Sequence, residues 1–156
     1  MIGKTADPLP DLYESDETAW LDTMANLIQE GRLSDLDYHH LAEYLTDMAN
    51  RDRREVSSRL RLLLTHVLKW IYQQNMRTPS WRNTVIEQQD ELEDLVTKGV
   101  LRNHAEESLS AIYQKAVKYA ARETGLPAES FPSQCPYTLD QLMSSDILGE
   151  NYTSRG

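Results

Sequence analysis

The stretch REVSSRLRLLLTHVLKWIYQ, residues 54–73, decides the fold. Val56, Leu60, Leu63, Val67 and Trp70 recur at alternating four- and three-residue steps, the spacing that places side chains on one face of an α-helix. Leu62, Leu64, Leu68 and Ile71 widen that stripe around most of the cylinder, so the helix is expected at the centre of a bundle rather than on its surface.

Upstream, RDRRE at residues 51–55 interrupts the apolar stripe without a glycine or proline, so the helix can run on or kink there. Leu36, Leu41, Leu45 and Met48 mark an amphipathic helix that begins near residue 35, with Ser34 and Asp37 spaced as a capping box. Trp20, Leu21, Met24, Leu27 and Ile28 predict a helix over about 16–30, capped by Ser15 or Asp16 and ended by Gly31. Downstream, Thr78-Pro79 starts a helix of about 79–97 that carries Trp81, Val85, Ile86, Leu92, Leu95 and Val96 inward and ends at Gly99. Asn103 and Glu106 open another over about 104–124, closed by Gly125. LPAESFPSQCPYT then holds three prolines and must lie as irregular chain over the bundle, with one short turn near 128–130 and a last short helix capped by Thr138 and Gln141. No period-two strand pattern interrupts this. The expected class is all-α: a bundle of about five main helices with an irregular proline-rich C-terminal segment, forming one domain over residues 12–148 between a flexible arm, 1–11, and a flexible tail, 149–156.

Composition agrees with a globular chain: of 156 residues, 40% are hydrophobic and 26% charged. No apolar run approaches the roughly 18–20 residues of a membrane span, and MIGKTADPLP lacks the pattern of a signal peptide, so the expected setting is the cytoplasm without a membrane partner. A single cysteine, Cys135, excludes an internal disulfide and any multi-cysteine metal site. The net charge of −9 hides three blocks: residues 1–50 carry two basic and eleven acidic residues, residues 51–82 eight and two, residues 83–156 six and twelve. Cations of the central block are therefore expected to pair with acids of neighbouring helices, and the acidic remainder disfavours duplex DNA as a partner.

The segments GRLSDLDYHHLAEYLTDM, SRLRLLLTHVLKWIYQ, TPSWRNTVIEQ and AARETGLPAESFPSQCPYTLDQLM resemble, in order and over about Tyr13 to Leu148, the bacterial family catalogued as domain of unknown function 29, common in cyanobacteria and proteobacteria. The combination of HVLKW, SWR eleven residues on, ETGLP, FP and CPYT carries the resemblance. It implies a small α-helical bacterial protein, and it brings no assigned catalytic or binding residue. Two departures, Ala49 or Asn50 in place of a frequent glycine and the lack of a proline after Gln73 or Gln74, favour continuous helix at both places.

The residues that could carry chemistry are few. Arg59, His66 and Lys69 fall on nearby faces of one helix, and the next turn returns Trp81 and Arg82 toward its end, a set that could hold a carboxylate or phosphate or form a hydrolytic site. The competing reading satisfies the same cations with carboxylates such as Glu43 and Asp47, and His66 with a backbone carbonyl. Arg51, Arg54 and Arg61 share a cationic line that suits an acidic protein surface or a nucleic-acid contact. His39 and Glu43 stand four apart, as chelators do, but no second histidine motif completes a site, so no metal or cofactor is expected. His104 with Glu106 reads as helix-start chemistry, Cys135 as an inert thiol, and Tyr38, Tyr44, Tyr72, Tyr113 and Tyr119 as mostly core. Without a nucleophile elbow, Walker loop or dinucleotide fingerprint, the leading expectation is a non-enzymatic helical module that self-associates or docks on a protein partner through the helices of residues 35–75 and the aromatic C-terminal stretch.

Overall fold

A computed structural model describes residues 9–149. Among them there are six α-helices and no strand: α1 (Leu9–Ser15), α2 (Glu17–Gln29), α3 (Tyr38–Tyr72), α4 (Pro79–Glu93), α5 (Gly99–Thr124) and α6 (Leu139–Leu142). The all-α class is as the periodicity requires. The chain divides into two compact units, Met1–Arg51 and Asp52–Gly156.

The first unit packs around Trp20, Met24 and Leu27 of α2, against which Leu12 and Tyr13 of α1, Leu36, and Leu41 and Tyr44 of α3 close. Asp16 caps α2 through Ala19 N–H at 3.1 Å. The helical turn α1 starts at Leu9, inside the stretch expected as a loose arm, because Leu12 and Tyr13 have an apolar surface to cover; residues 1–8 of that arm and 150–156 of the tail lie outside the described residues. The chain enters α3 through a 3₁₀ turn, Leu33–Asp35, and the capping carboxylate is that of Asp37, which accepts from His40 N–H, rather than the Ser34 pair.

The second unit is built on residues 56–70 of α3, where Val56, Leu60, Leu63, Leu64, Val67, Leu68 and Trp70 are all fully buried. The helix runs unbroken through RDRRE, as the missing glycine and proline permit. It does not run on through Gln73 and Gln74: α3 stops at Tyr72 and a 3₁₀ turn, Gln74–Met76, follows. Side chains replace the missing turn, for Arg77 Nε donates to the Trp70 carbonyl at 2.8 Å and Gln73 Nε2 to the Thr124 carbonyl at 3.1 Å. Thr78 caps α4 as expected, and α4 returns antiparallel to α3, with Gln88 near Arg59 and Trp81 near Lys69. It ends at Glu93, short of residue 97. Helix α5 then starts at Gly99, earlier than residue 104, the positive φ of +84° marking the junction at the glycine expected to end the previous helix. It runs parallel to α3, as the pairs Ser57–His104 and Lys69–Glu123 show.

Irregular chain after Gly125 is tied down by the helices. Tyr113 Oη donates to the Pro132 carbonyl at 2.7 Å, Trp70 Nε1 to the Leu148 carbonyl at 3.1 Å, and Gln89 Nε2 to the carbonyls of Leu142 and Ser144. These bonds let Phe131, Leu139, Leu142 and Leu148 bury on the bundle. The capping box of Thr138 and Gln141 forms as expected. Replacing fully buried Leu64 with alanine should cost about 2–5 kcal/mol in chemical denaturation, whereas the same truncation at exposed Val100 should change stability by no more than about 0.5 kcal/mol.

Candidate functional site

The C-terminal end of α3, the start of α4 and the end of α5 meet at one end of the second unit, and the segments HVLKW, SWR and ETGLP meet with them. At their centre lies Lys69, only 6% exposed although charged. Its Nζ sits 2.8 Å from Glu123 Oε1 and 4.6 Å from the ring centroid of Trp81. A buried ammonium needs both a counter-ion and replacement of its hydration; the carboxylate supplies the first and the indole face part of the second. His66, one turn before Lys69, donates from Nδ1 to the Leu62 carbonyl at 3.0 Å, which leaves Nε2 as the acceptor of the neutral ring. Burial lowers its pKa below the usual 6.5, against the opposing pull of the Leu62 carbonyl, and the Lys69 charge lowers it further. Arg82 is half-buried beside Trp81 on α4.

Arg59 stands apart from these residues. Its Nε meets Glu55 Oε2 at 2.9 Å, one terminal nitrogen meets Gln88 Oε1 at 3.2 Å, and the other approaches Glu91 at 3.7 Å. The five residues of the sequence-derived set therefore do not form one pocket: His66, Lys69 and Trp81 are neighbours at one end, while Arg59 is occupied farther along α3. The carboxylates that neutralise Arg59 and Lys69 are Glu55, Glu91 and Glu123. Its lysine is paired and its histidine is bonded to backbone through Nδ1, so the bare Nε2 of His66 is the lone pair this end cluster presents. Glu123 was not singled out from the sequence, although it heads the ETGLP segment; the joint occurrence of HVLKW, SWR and ETGLP was the available signal.

The arginine line divides as well. Arg54 is exposed, Arg61 is half-buried with its guanidinium carbon 4.6 Å from the Tyr119 ring centroid, and Arg51 Nη1 lies 3.9 Å from Met48 Sδ. The tyrosines expected mostly in the core split too: Tyr113 is buried and Tyr44 half-buried, but Tyr38, Tyr72 and Tyr119 are exposed. His104 lies in the second turn of α5, and its Nε2 is 2.9 Å from Ser57 Oγ across the groove to α3. Burial raises the Cys135 thiol pKa, against a smaller lowering by the Tyr137 backbone, which disfavours the thiolate there; the thiol donates to the Tyr137 carbonyl at 3.4 Å.

In the first unit, His39, His40 and Glu43 each bring a ligand atom within 4.8 Å of the others, the group among the described residues able to hold a divalent ion. His40 Nδ1 lies 2.8 Å from Asp37 Oδ2, which also accepts from Trp20 Nε1 at 3.1 Å. Burial works to raise the Asp37 pKa, yet the hydrogen bonds from His40 and Trp20 outweigh it and hold the carboxyl below its usual value. A cavity of about 400 Å³ in the second unit has Asp90, Glu93 and Asp140 among its lining residues, and its arginine, Arg102, is bonded to Glu106 and Asp140.

Two outcomes follow. Glu123→Gln should lower stability by about 2–3 kcal/mol by leaving the ammonium unpaired, and Lys69→Met in that background should restore most of it. Because folded His66 takes up its proton at lower pH than the unfolded chain, stability should fall as pH drops below 6.5, and His66→Gln should flatten that dependence in denaturant titrations at several pH values.

Among the described residues no helix is long and apolar enough to cross a membrane. No curated protein and no solved structure matches the chain. The family model described as "Domain of unknown function DUF29" matches residues 12–148, nearly the whole length, and the chain belongs to that family.

Proposed function

We propose that the protein is a non-enzymatic interaction module that self-associates through the N-terminal part of α3. The observation that carries this reading is an exposed second stripe on that helix. Tyr38, Ala42, Leu45 and Ala49 follow one another at steps of four, three and four, and all are exposed, with Tyr38 at 58% and Leu45 at 59%. The stripe stands beside the pair, Leu41 and Tyr44, that turns toward Trp20. Leu45 was expected on the inward stripe; the 3.6-residue turn carries it one face away, onto the line of Tyr38 and Ala42.

Four-three spacing of apolar residues is the pattern by which one helix packs on another, and small alanines between larger side chains allow close approach. A shallow groove of about 400 Å³, lined by His39, Ala42, Glu43, Thr46 and Asp47, runs beside the stripe and offers room for side chains of a facing helix. A second copy of the same helix, laid antiparallel, brings Leu45 of each opposite Ala49 of the other, so the stripe is self-complementary in shape. A stripe of under two heptads gives a weak, concentration-dependent dimer rather than an obligate one. The pairing of Arg59 and Lys69 supports the non-enzymatic part of the reading, since these two members of the sequence-derived set are committed to neighbouring carboxylates.

Light scattering on a dilution series tests this. The mass should rise with concentration from 18.0 kDa toward twice that value, and Leu45→Glu, folded by circular dichroism, should hold it at the monomer. A wild-type mass fixed at the monomer across the series would overturn the reading.

A further inference from the structure

Between α3 and α5 the second unit holds a groove of about 270 Å³ whose lining includes Ser57, Ser58, Arg61, Ser108, Ile112 and Lys115. Arg59, Lys69 and Arg102 of this unit each lie within ion-pair distance of a carboxylate; among the described residues Arg61 and Lys115 do not, and both line this one groove. In a chain with 25 acidic and 16 basic residues, two cations left without an acid at one groove form a site of positive potential that an anion can occupy. The Tyr119 ring holds the Arg61 guanidinium through its face at 4.6 Å, a contact that uses no N–H, so the planar edge remains available for an oxyanion.

The hydroxyl groups add donors. The His104 ring lies between two serines, with Nε2 2.9 Å from Ser57 Oγ and Nδ1 3.4 Å from Ser108 Oγ. A neutral imidazole has one N–H and one bare nitrogen, so it donates to one serine and accepts from the other. The serine that receives the ring proton keeps its own O–H, which is then free to turn into the groove. With Ser58, the groove offers two hydroxyl donors besides an ammonium and a guanidinium edge.

We propose that this groove binds a small phosphomonoester, its phosphoryl group held by Arg61, Lys115 and the serine hydroxyls and its organic part against Ile112. Two cations and several donors converging from different directions match a tetrahedral dianion better than a planar monoanionic carboxylate. The volume lies at the lower edge of small-molecule sites, which suits a compact metabolite and excludes a polynucleotide.

The test is a titration of the full chain with glycerol 3-phosphate, followed by amide chemical shifts, with inorganic phosphate and sodium chloride at matched ionic strength as comparisons. Saturable shifts should concentrate at residues 57–61 and 108–115, with Kd about tenfold higher in Lys115→Gln, higher again in Arg61→Gln/Lys115→Gln, and unchanged in Lys118→Gln, which alters an exposed lysine of the same helix outside the groove. Lys115 is exposed, so its single variant remains informative should the double variant not fold. No saturation by about 10 mM, shifts elsewhere in the chain, or a Kd unmoved by Lys115→Gln would overturn the site. Equal affinity for inorganic phosphate would overturn the phosphomonoester assignment.

Discussion

The Lys69 ammonium is the constraint on which the second unit depends. A charge so nearly enclosed is tolerated only where a carboxylate and a polarisable surface replace the lost water. Glu123 comes from the last turn of α5 and Trp81 from the first turn of α4, so satisfying one cation fixes three helix ends at once. Around it the neighbouring bonds point the same way: Gln73 reaches the Thr124 carbonyl just before Gly125 ends α5 in a left-handed conformation, and Arg77 closes the Trp70 carbonyl while its guanidinium lies 4.5 Å from that indole. The apolar stripe of α3 supplies the driving force for collapse, but apolar contact is non-directional. The polar end supplies the registration of α3, α4 and α5.

In the first unit a carboxylate has the equivalent part. Asp37 accepts from the Trp20 indole and from His40, so the buried aromatic of α2 is bonded to the residue that opens α3. Tyr13 then stacks on His40 at 4.3 Å and meets Trp20 edge-on at 4.8 Å, carrying the short α1 into the same cluster. This explains why a helix of seven residues forms in a proline-containing segment with no strong propensity of its own: its aromatic is the third member of a ring cluster built by others.

Helix identity was legible wherever one strong local signal stood alone. Thr78-Pro79, the Thr138–Gln141 box and Asp16 before α2 each act within one turn of the backbone, and each forms as read. The errors arose where distant groups decide. Nothing local to Gln73 shows that its side chain leaves to bond Thr124, so the end of α3 at Tyr72 could not be read from residues 70–75. Leu45 and Tyr38 are apolar at helical spacing, yet a spacing reports a face and not what covers it. The candidate site was legible in part for the same reason. Helical spacing placed His66 and Lys69 within one turn, and the turn after α3 returned Trp81 to them, but Glu123 lies 54 positions from Lys69 and belongs to a helix whose approach depends on the whole bundle.

The most direct test of this account reads the Lys69 ammonium itself. In ¹⁵N-resolved spectra of the side-chain NH₃⁺ groups, assigned by loss of the signal in Lys69→Met, the Lys69 resonance should persist near neutral pH through slow exchange with water and show contacts to the Trp81 indole protons. A resonance averaged with solvent like those of exposed lysines, without contact to Trp81, would contradict the claim that this buried ion pair holds the three helix ends together.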